Sequence, residues 1–454
     1  MTSHEGGTAQ AWAALGGADG LAERVGYRGA SGLADGPLPV RELARATVGV
    51  CALAAAELSA VRAGGGPRDV GPLVVDEGAV ATAFVSERHL LVDGRTPVSF
   101  APLSGFWRAA DGWVRTHANY PHHEAALIRV LGAGTPEGVA AEISRRPAVE
   151  VQEAVYAAGG LAVAVAPEYG APQPLVEVRP SGGRGRDLGP GAGPSAPPLH
   201  GVRVLDLTRV IAGPVATRTL GLLGADVLRT DAPGLAESDD AYADTGFGKR
   251  SALLDLGAAA DRSVFEELLD AADVVVTGYR PGALERYGLG AQELLARRPG
   301  LVVAQLCAWG WQGAWSGRRG FDSLVQAGYG ISAAYGDERG PGVLPAQALD
   351  HGTGYLMAAG VLRALAEGGG RSMRFSLAGT ASWLVRDLPP ATAATDTADV
   401  APAEGYRPEL WLRETESGYG KLRYAASPLG PGVWGGGDWN RGPSRWGTDR
   451  PVWL

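Results

Sequence analysis

The stretch Val202-Arg203-Val204-Leu205-Asp206-Leu207 decides the fold. It is short, apolar and rich in β-branched residues, the pattern of a strand buried on both faces. A tight turn, Ala212-Gly213-Pro214, follows it. Val215 to Leu223 then has a helical pattern, and Gly224-Ala225-Asp226-Val227-Leu228-Arg229 returns as a second strand. A connection of this length suits a βαβ unit with parallel strands. The alternation continues with an expected helix over 261–271, strand Val274-Val275-Val276, a helix over 291–297 and strand Leu301-Val302-Val303-Ala304. The expected fold class is therefore α/β, a doubly wound parallel sheet, joined by a smaller α+β domain read further below. Ligands on such sheets bind beyond the carboxyl ends of the strands, here residues 208–214, 230–234, 277–282 and 306–313. The first turn, Thr208-Arg209-Val210-Ile211-Ala212-Gly213-Pro214, contains no GxGxxG, and no Walker A pattern occurs, which argues against the usual nicotinamide or ATP sites.

Farther along, Leu344-Pro345-Ala346-Gln347-Ala348-Leu349-Asp350-His351-Gly352-Thr353-Gly354-Tyr355 sets a lone acid just ahead of a helix expected from Tyr355 to Ala366. Helix N-termini favour negative charge, so Asp350 reads either as a cap or as a carboxylate held for chemistry. A second copy of the segment lies upstream. Gly36-Pro37-Leu38-Pro39-Val40-Arg41-Glu42-Leu43-Ala44-Arg45-Ala46-Thr47 aligns with 342–353, with Gly, Leu, Pro, Leu and Thr in register. Both copies enter an Ala/Leu-rich helix that ends in three glycines, Gly64–Gly66 and Gly368–Gly370. In this alignment Ala44 stands opposite Asp350. A cap lost in this way costs only about 1 kcal/mol, whereas a lost nucleophile leaves an inert copy.

At 454 residues the chain exceeds one ordinary core. The expected units are 1–95, a degenerate copy of the Asp350 segment; 96–180, a small α+β domain entered at Asp111-Gly112-Trp113; 181–198, a Gly/Pro-rich linker; 199–390, the sheet domain; and 391–454, a C-terminal extension. No run of about 18 uninterrupted apolar residues occurs, so a membrane span is not expected. The start, Met1-Thr2-Ser3-His4-Glu5, lacks the basic and apolar segments of a secretory signal. A net charge of −8 argues against nucleic acid as partner. Cys51 and Cys307 have no metal-ligand spacing and read as reduced thiols of a cytoplasmic protein.

Several ordered motifs carry a resemblance: Leu199-His200-Gly201 through Gly213-Pro214; Gly224-Ala225-Asp226-Val227; Gly248-Lys249-Arg250-Ser251 with Leu254-Asp255-Leu256; Ala272-Asp273-Val274 with Arg280-Pro281-Gly282-Ala283-Leu284-Glu285-Arg286-Tyr287-Gly288; and Gly320-Phe321-Asp322 with Gln326-Ala327. Residues 199–385 resemble the class III CoA-transferases, the family of formyl-CoA and carnitine CoA-transferases that includes α-methylacyl-CoA racemase. The resemblance implies a Rossmann-like, CoA-binding sheet and makes Asp350 the nucleophile, passing through an aspartyl anhydride and an aspartyl-CoA thioester. It implies acyl-CoA and a carboxylate acceptor as small-molecule partners, with CoA as substrate and no metal or tightly bound cofactor. Val210, Ile211 and Ala212 would flank the nucleotide, Lys249 or Arg250 and Arg286 would meet its phosphates, Tyr279 and Arg280 would border the pantetheine, and Trp309 would line the acyl pocket. The backbone N–H groups of Gly352 and Gly354 are candidates to stabilise an oxyanion.

The racemases of this family carry a histidine where this chain has Phe321, which favours a transferase over a 2-methylacyl-CoA racemase or epimerase. A CoA-binding pseudoenzyme is the third reading. The order of parts departs from the family, because the small domain precedes the sheet. Either one chain supplies both parts of the site, or a homodimer completes it. The family also has a glycine loop over its active site, for which Gly435-Gly436-Gly437-Asp438-Trp439 is the candidate here.

Overall fold

The computed structural model describes residues 6–189, 196–389, 405–430, 433 and 436–454. In chain order, strand β1 (Val25–Arg28) leads through the long helix α1 (Val40–Arg62) to β2 (Leu73–Asp76), and β1 and β2 pair in parallel. A short strand β3 (Leu91–Val92) precedes a small unit. There β4 (Phe106–Arg108), β5 (Trp113–Thr116) and β6 (Ala162–Ala164) form an antiparallel sheet, with helices α2 (Pro121–Leu131), α3 (Pro136–Ile143) and α4 (Ala148–Ala157) closing a separate core. Strand β7 (Glu177–Pro180) follows.

The predicted βαβ unit forms as β8 (Arg203–Leu207), α5 (Ala212–Leu222) and β9 (Asp226–Asp231). It is extended by β10 (Lys249–Leu253), α6 (Ala259–Ala271), β11 (Val274–Thr277), α7 (Ala291–Arg297) and β12 (Val302–Cys307). Then come α8 (Asp322–Gly328), α9 (Ala348–Ala366), β13 (Arg371–Ser376) and α10 (Leu377–Arg386). The seven-stranded sheet has the order β10-β9-β8-β11-β12-β13-β7; every pair is parallel except the edge pair of β13 with β7. Val204, Val274 and Val302 face one apolar core with residues of α5 and α9, while Leu205, Val275 and Val303 face another with Phe265, Leu268 and Leu294 of α6 and α7. Helices cover both faces, as a doubly wound sheet requires.

Strands β10 and β13 were not expected from the pattern. Their polar residues conceal them, and ion pairs satisfy those of β10: Lys249 Nζ lies 3.2 Å from Asp206 and an Arg250 amino group 2.7 Å from Asp226. The first nine residues of the expected linker, 181–198, are bound to the sheet domain. Residues 181–189 run along the sheet, with Ser181 N donating to Gly370 O at 2.9 Å, Gly185 N to Gly368 O at 2.8 Å and Arg186 paired with Asp273 at 2.7 Å. Gly370 is obligatory there, since a Cβ would come within 1.9 Å of Gly183 O. The rest of that tract, 190–195, lies outside the described residues, as does Gly435 of the candidate glycine loop. Trp439, from the same stretch, packs against Phe247 with ring centroids 5.2 Å apart.

The most extensive helix–helix contact joins α1 to α9. Buried alanines on both, among them Ala44, Ala52, Ala55, Ala358 and Ala359, let the backbones approach closely. Helix α1 is long and apolar enough by composition to cross a membrane, yet it lies mostly inside the protein as a core helix. The β1–α1–β2 unit repeats the geometry of β12–α9–β13: parallel strands joined through a helix whose N-cap has φ −78°, ψ 59° at Pro39 and φ −74°, ψ 61° at Gln347. Matched on these caps, Glu42 rather than Ala44 stands where Asp350 does, at the third helical position. A final hairpin, β14 (Leu412–Ser417) with β15 (Gly420–Ala425), adds to β3, so late and early parts of the chain share one small sheet.

Candidate active site

Helix α9 begins at Ala348 rather than near Tyr355, which puts Asp350 inside the first turn. Asp350 does not cap its helix. Asp322, the first residue of α8, does so from outside: the Asp350 backbone N–H donates to Asp322 Oδ2 at 3.0 Å. The Gln326 side-chain amide donates to the other Asp322 oxygen, and Gln326 Oε1 accepts the Leu344 N–H at 2.9 Å. The Gly320-Phe321-Asp322…Gln326 motif is thus a brace that fixes the start of α9. Burial pushes the Asp322 carboxyl up to about 6 although these hydrogen bonds favour its anion.

Asp350 is 6 % exposed, and its carboxyl stands at the junction of two cavities. Burial holds it well above the usual carboxylate range, and the charges of Asp322 and Glu87 raise it further. Four residues line both cavities: Tyr120, Val210, Phe321 and Asp350. Val210 adopts φ +70°, a left-handed conformation that is strained for a β-branched residue. Its N–H donates to Glu237 at 3.3 Å, and the turn it makes directs the N-terminus of α5 toward the junction.

One cavity, of about 380 Å³, lies over the carboxyl ends of the strands and carries five arginines, Arg209, Arg280, Arg286, Arg318 and Arg319. Arg280, Arg286 and Arg319 have no carboxylate partner among the described residues. With Ala212, Tyr279, Gly278 and Gly282 beside them, they make a cationic cleft fit for a polyanion. The other cavity, of about 540 Å³, has a mostly apolar wall that includes Leu90, Pro97, Val98, Phe100 and Ile211. Nearly half of its lining residues precede residue 199. Glu87 reaches it from the N-terminal third, with one carboxylate oxygen 3.6 Å from His351 Nε2. Burial pushes the Glu87 carboxyl up, but the contact with His351 outweighs it and leaves the group below its ordinary value. His117 stacks on Phe321 with centroids 4.0 Å apart, and His123 meets the same ring edge-on at 6.2 Å. Burial pushes both imidazoles down to about 3, so they are neutral near pH 7.

Of the residues singled out from sequence, Val210, Ala212, Tyr279, Arg280, Arg286 and Asp350 meet in the arginine cavity, and Ile211 lines its neighbour. Four expectations need correction. Lys249 is fully buried, bonded to Asp206 and to Pro214 O at 3.0 Å; burial pushes it down to about 8, and it has no path to a phosphate. Arg250 is bonded to Asp226 and Val452 O behind the sheet edge. Trp309 packs edge-on against Trp315 at 4.6 Å and donates to Arg319 O at 3.0 Å, so it backs the arginine loop and lines neither of the two cavities. Gly352 and Gly354 lie within α9, whose hydrogen bonds use their N–H groups; Gly354 serves packing, since a Cβ would fall 2.6 Å from Ala212 O. Arg209, Arg318 and Arg319 were missed, although the first sits in the strand-end turn and the others abut the Gly320 motif. Glu87, His117, Tyr120 and His123 gave no sequence signal, because only the tertiary fold brings them to Asp350.

The model of CoA-transferase family III matches residues 199–407. Over 208 residues the chain is 36 % identical to an acetyl-coenzyme A transferase of Hypoxylon pulicicidum, which covers 43 % of this chain and 35 % of that protein. It is 35 % identical over 184 residues to a probable fatty acyl-CoA transferase of Mycobacterium tuberculosis, covering 37 % of this chain and 47 % of that protein. A crystal structure from M. tuberculosis aligns with 34 % identity and TM-score 0.39 over 41 % of this chain and 56 % of that one. The chain therefore spans about half or less of the curated relatives named here.

Proposed function

We propose, from the match of residues 199–407 to the model of CoA-transferase family III, that this chain is an enzyme that moves CoA from an acyl-CoA to a free carboxylic acid, with Asp350 as nucleophile. The observation that carries the reading is the position of the Asp350 carboxyl, where a cationic cavity meets an apolar one. A thioester placed there has its nucleotide among the arginines and its acyl group on the far side. The Asp350 carboxylate attacks the thioester carbonyl and expels CoA thiolate, giving an aspartyl-acyl anhydride. The thiolate then attacks the aspartyl carbonyl and releases the first acid, leaving an aspartyl-CoA thioester. The acceptor carboxylate runs the same two steps in reverse. A desolvated carboxylate suits this chemistry, because little water must be stripped from it before it attacks. Phe321 stands where the family's racemases carry a histidine, which favours transfer over racemisation.

The test is to incubate the protein with an acyl-CoA, add hydroxylamine and map the modified peptide by mass spectrometry. A hydroxamate at Asp350 is expected. Asp350→Asn should lower turnover by roughly 10⁴- to 10⁶-fold, the cost of removing a covalent nucleophile. Full activity in that variant would end the proposal.

A further inference from the structure

We propose that the apolar cavity selects acyl groups that end in hydrocarbon and rejects those that carry a second carboxylate; this deepens the transfer reading and rests on it. Charge is sorted between the two cavities. Five arginines line the nucleotide side, whereas Arg88 is the only arginine or lysine among the described residues lining the acyl side. Arg88 is half exposed and lies 3.5 Å from Glu87, so it is already engaged.

Besides Asp350, the acids on that wall are Glu87, Glu237, Asp240, Asp244 and Asp322. The arginines that pair with Asp240, Asp244 and Glu237 are not on that wall. Asp240 binds Arg95 at 2.6 Å, Asp244 binds Arg218 at 3.3 Å and Glu237 binds Arg229 at 2.9 Å; none of these arginines lines the cavity. Arg115 is also off the wall, stacked under the Phe100 ring at 5.2 Å. His117 adds no charge near pH 7. A carboxylate at the far end of an acyl chain would shed water, face carboxylate oxygens and meet no unpaired cation, which is how a site rejects a competitor. A hydrocarbon tail would meet Leu90, Val98, Phe100 and Ile211 instead. Val98 is 77 % exposed and Phe100 39 % exposed; both line the cavity and would lose water contact when a chain fills it.

The test is equilibrium binding of thioether analogues that Asp350 cannot attack, measured by calorimetry on the full chain: CoA, S-butyl-CoA, S-hexyl-CoA and S-(5-carboxypentyl)-CoA. Hexyl should bind up to about fifteen-fold tighter than butyl, the gain from two buried methylenes. The carboxypentyl compound should bind at least about ten-fold weaker than hexyl. In Val98→Arg, which adds a cation at an exposed position on that wall, its affinity should recover by about two- to five-fold. Equal or tighter binding of the carboxylate compound by the natural chain would overturn the acyl class while leaving the transfer reading intact. Failure of CoA itself to bind would overturn both.

Discussion

At the level of single residues, three carboxyl groups control one another. Asp350 must be ionised to attack, and burial together with Asp322 and Glu87 opposes ionisation. Its kcat/KM should therefore fall as pH drops through a value well above the ordinary carboxylate range. Asp322→Asn and Glu87→Gln each remove a nearby negative charge, so each should move the acid limb of the kcat/KM profile to lower pH. The amide introduced by Asp322→Asn keeps one oxygen to accept the Asp350 N–H, and only the bond from the Gln326 amide to the other oxygen is lost. An acid limb that stays in place in both variants would show that desolvation alone sets the pKa. Stability should respond as well. The folded chain holds the Asp322 proton up to about pH 6, whereas the unfolded chain releases it near 3.8. Between those values the folded state binds more protons, so stability falls as pH rises, and Asp322→Asn should flatten that part of the curve. Asp350 itself could be picked out in the sequence, because a lone acid at a helix start beside a repeated segment is a local pattern. Lys249 and Arg250 misled for the same local reason. A basic pair after Gly248 looks like a phosphate site until Asp206 and Asp226, from neighbouring strands, are seen to neutralise it.

Among the elements, the apolar runs of β8, β11 and β12 announced the sheet because parallel strands buried on both faces must be almost wholly apolar. β10 stayed hidden because its charged residues are satisfied by Asp206 and Asp226, distant in sequence, and β13 because Arg371, Ser372 and Arg374 interrupt its apolar pattern. The packing of α1 on α9 was equally out of reach, though each helix could be expected from its own composition. That interface holds one buried ion pair, Arg363 of α9 with Glu57 of α1, at 4 % and 0 % exposure. Arg363 also donates to Gly16 O at 2.7 Å and covers the Trp12 ring at 4.8 Å. Removing one partner strands a buried charge, so Arg363→Met should destabilise the protein by about 3–5 kcal/mol. The double variant Glu57→Met/Arg363→Met should recover part of that loss, since it removes the stranded Glu57 charge and leaves only Gly16 O and Glu367 without their Arg363 partner. Urea unfolding of both variants decides the matter. A double variant no more stable than the single would mean that the bond to Gly16 O, not the ion pair, fixes the interface. The two related units also differ where it matters. Glu42, placed as Asp350 is, accepts the Gly7 N–H at 2.9 Å and pairs with Arg45 at 2.5 Å, so its carboxylate is locked in the core.

For the whole molecule, the family-matched segment does not make the site alone. Glu87, Phe100, His117 and Tyr120 wall the apolar cavity, α1 covers α9, and β7 closes the sheet edge beside β13. Arg62 ties the halves together by donating to Pro198 O at 2.8 Å and His200 O at 2.9 Å. One chain therefore brings both sides of the cavity pair together, which favours completion of the site within the chain over completion across a homodimer. Separate expression of residues 1–192 and 193–454 tests this. The second piece alone would expose the apolar face of α9 that α1 buries, so it should be aggregation-prone and inactive. Co-expressed, the two pieces should purify together as a one-to-one complex and regain CoA-dependent turnover, because the contacts that join them cross the cut in many places and need no peptide bond at residue 192. Light scattering on the intact chain completes the test: an active monomer is expected. A 193–454 fragment that folds alone and turns over acyl-CoA as fast as the whole chain would show that the N-terminal residues are bystanders to the chemistry, and the acyl-side wall described above would lose its role.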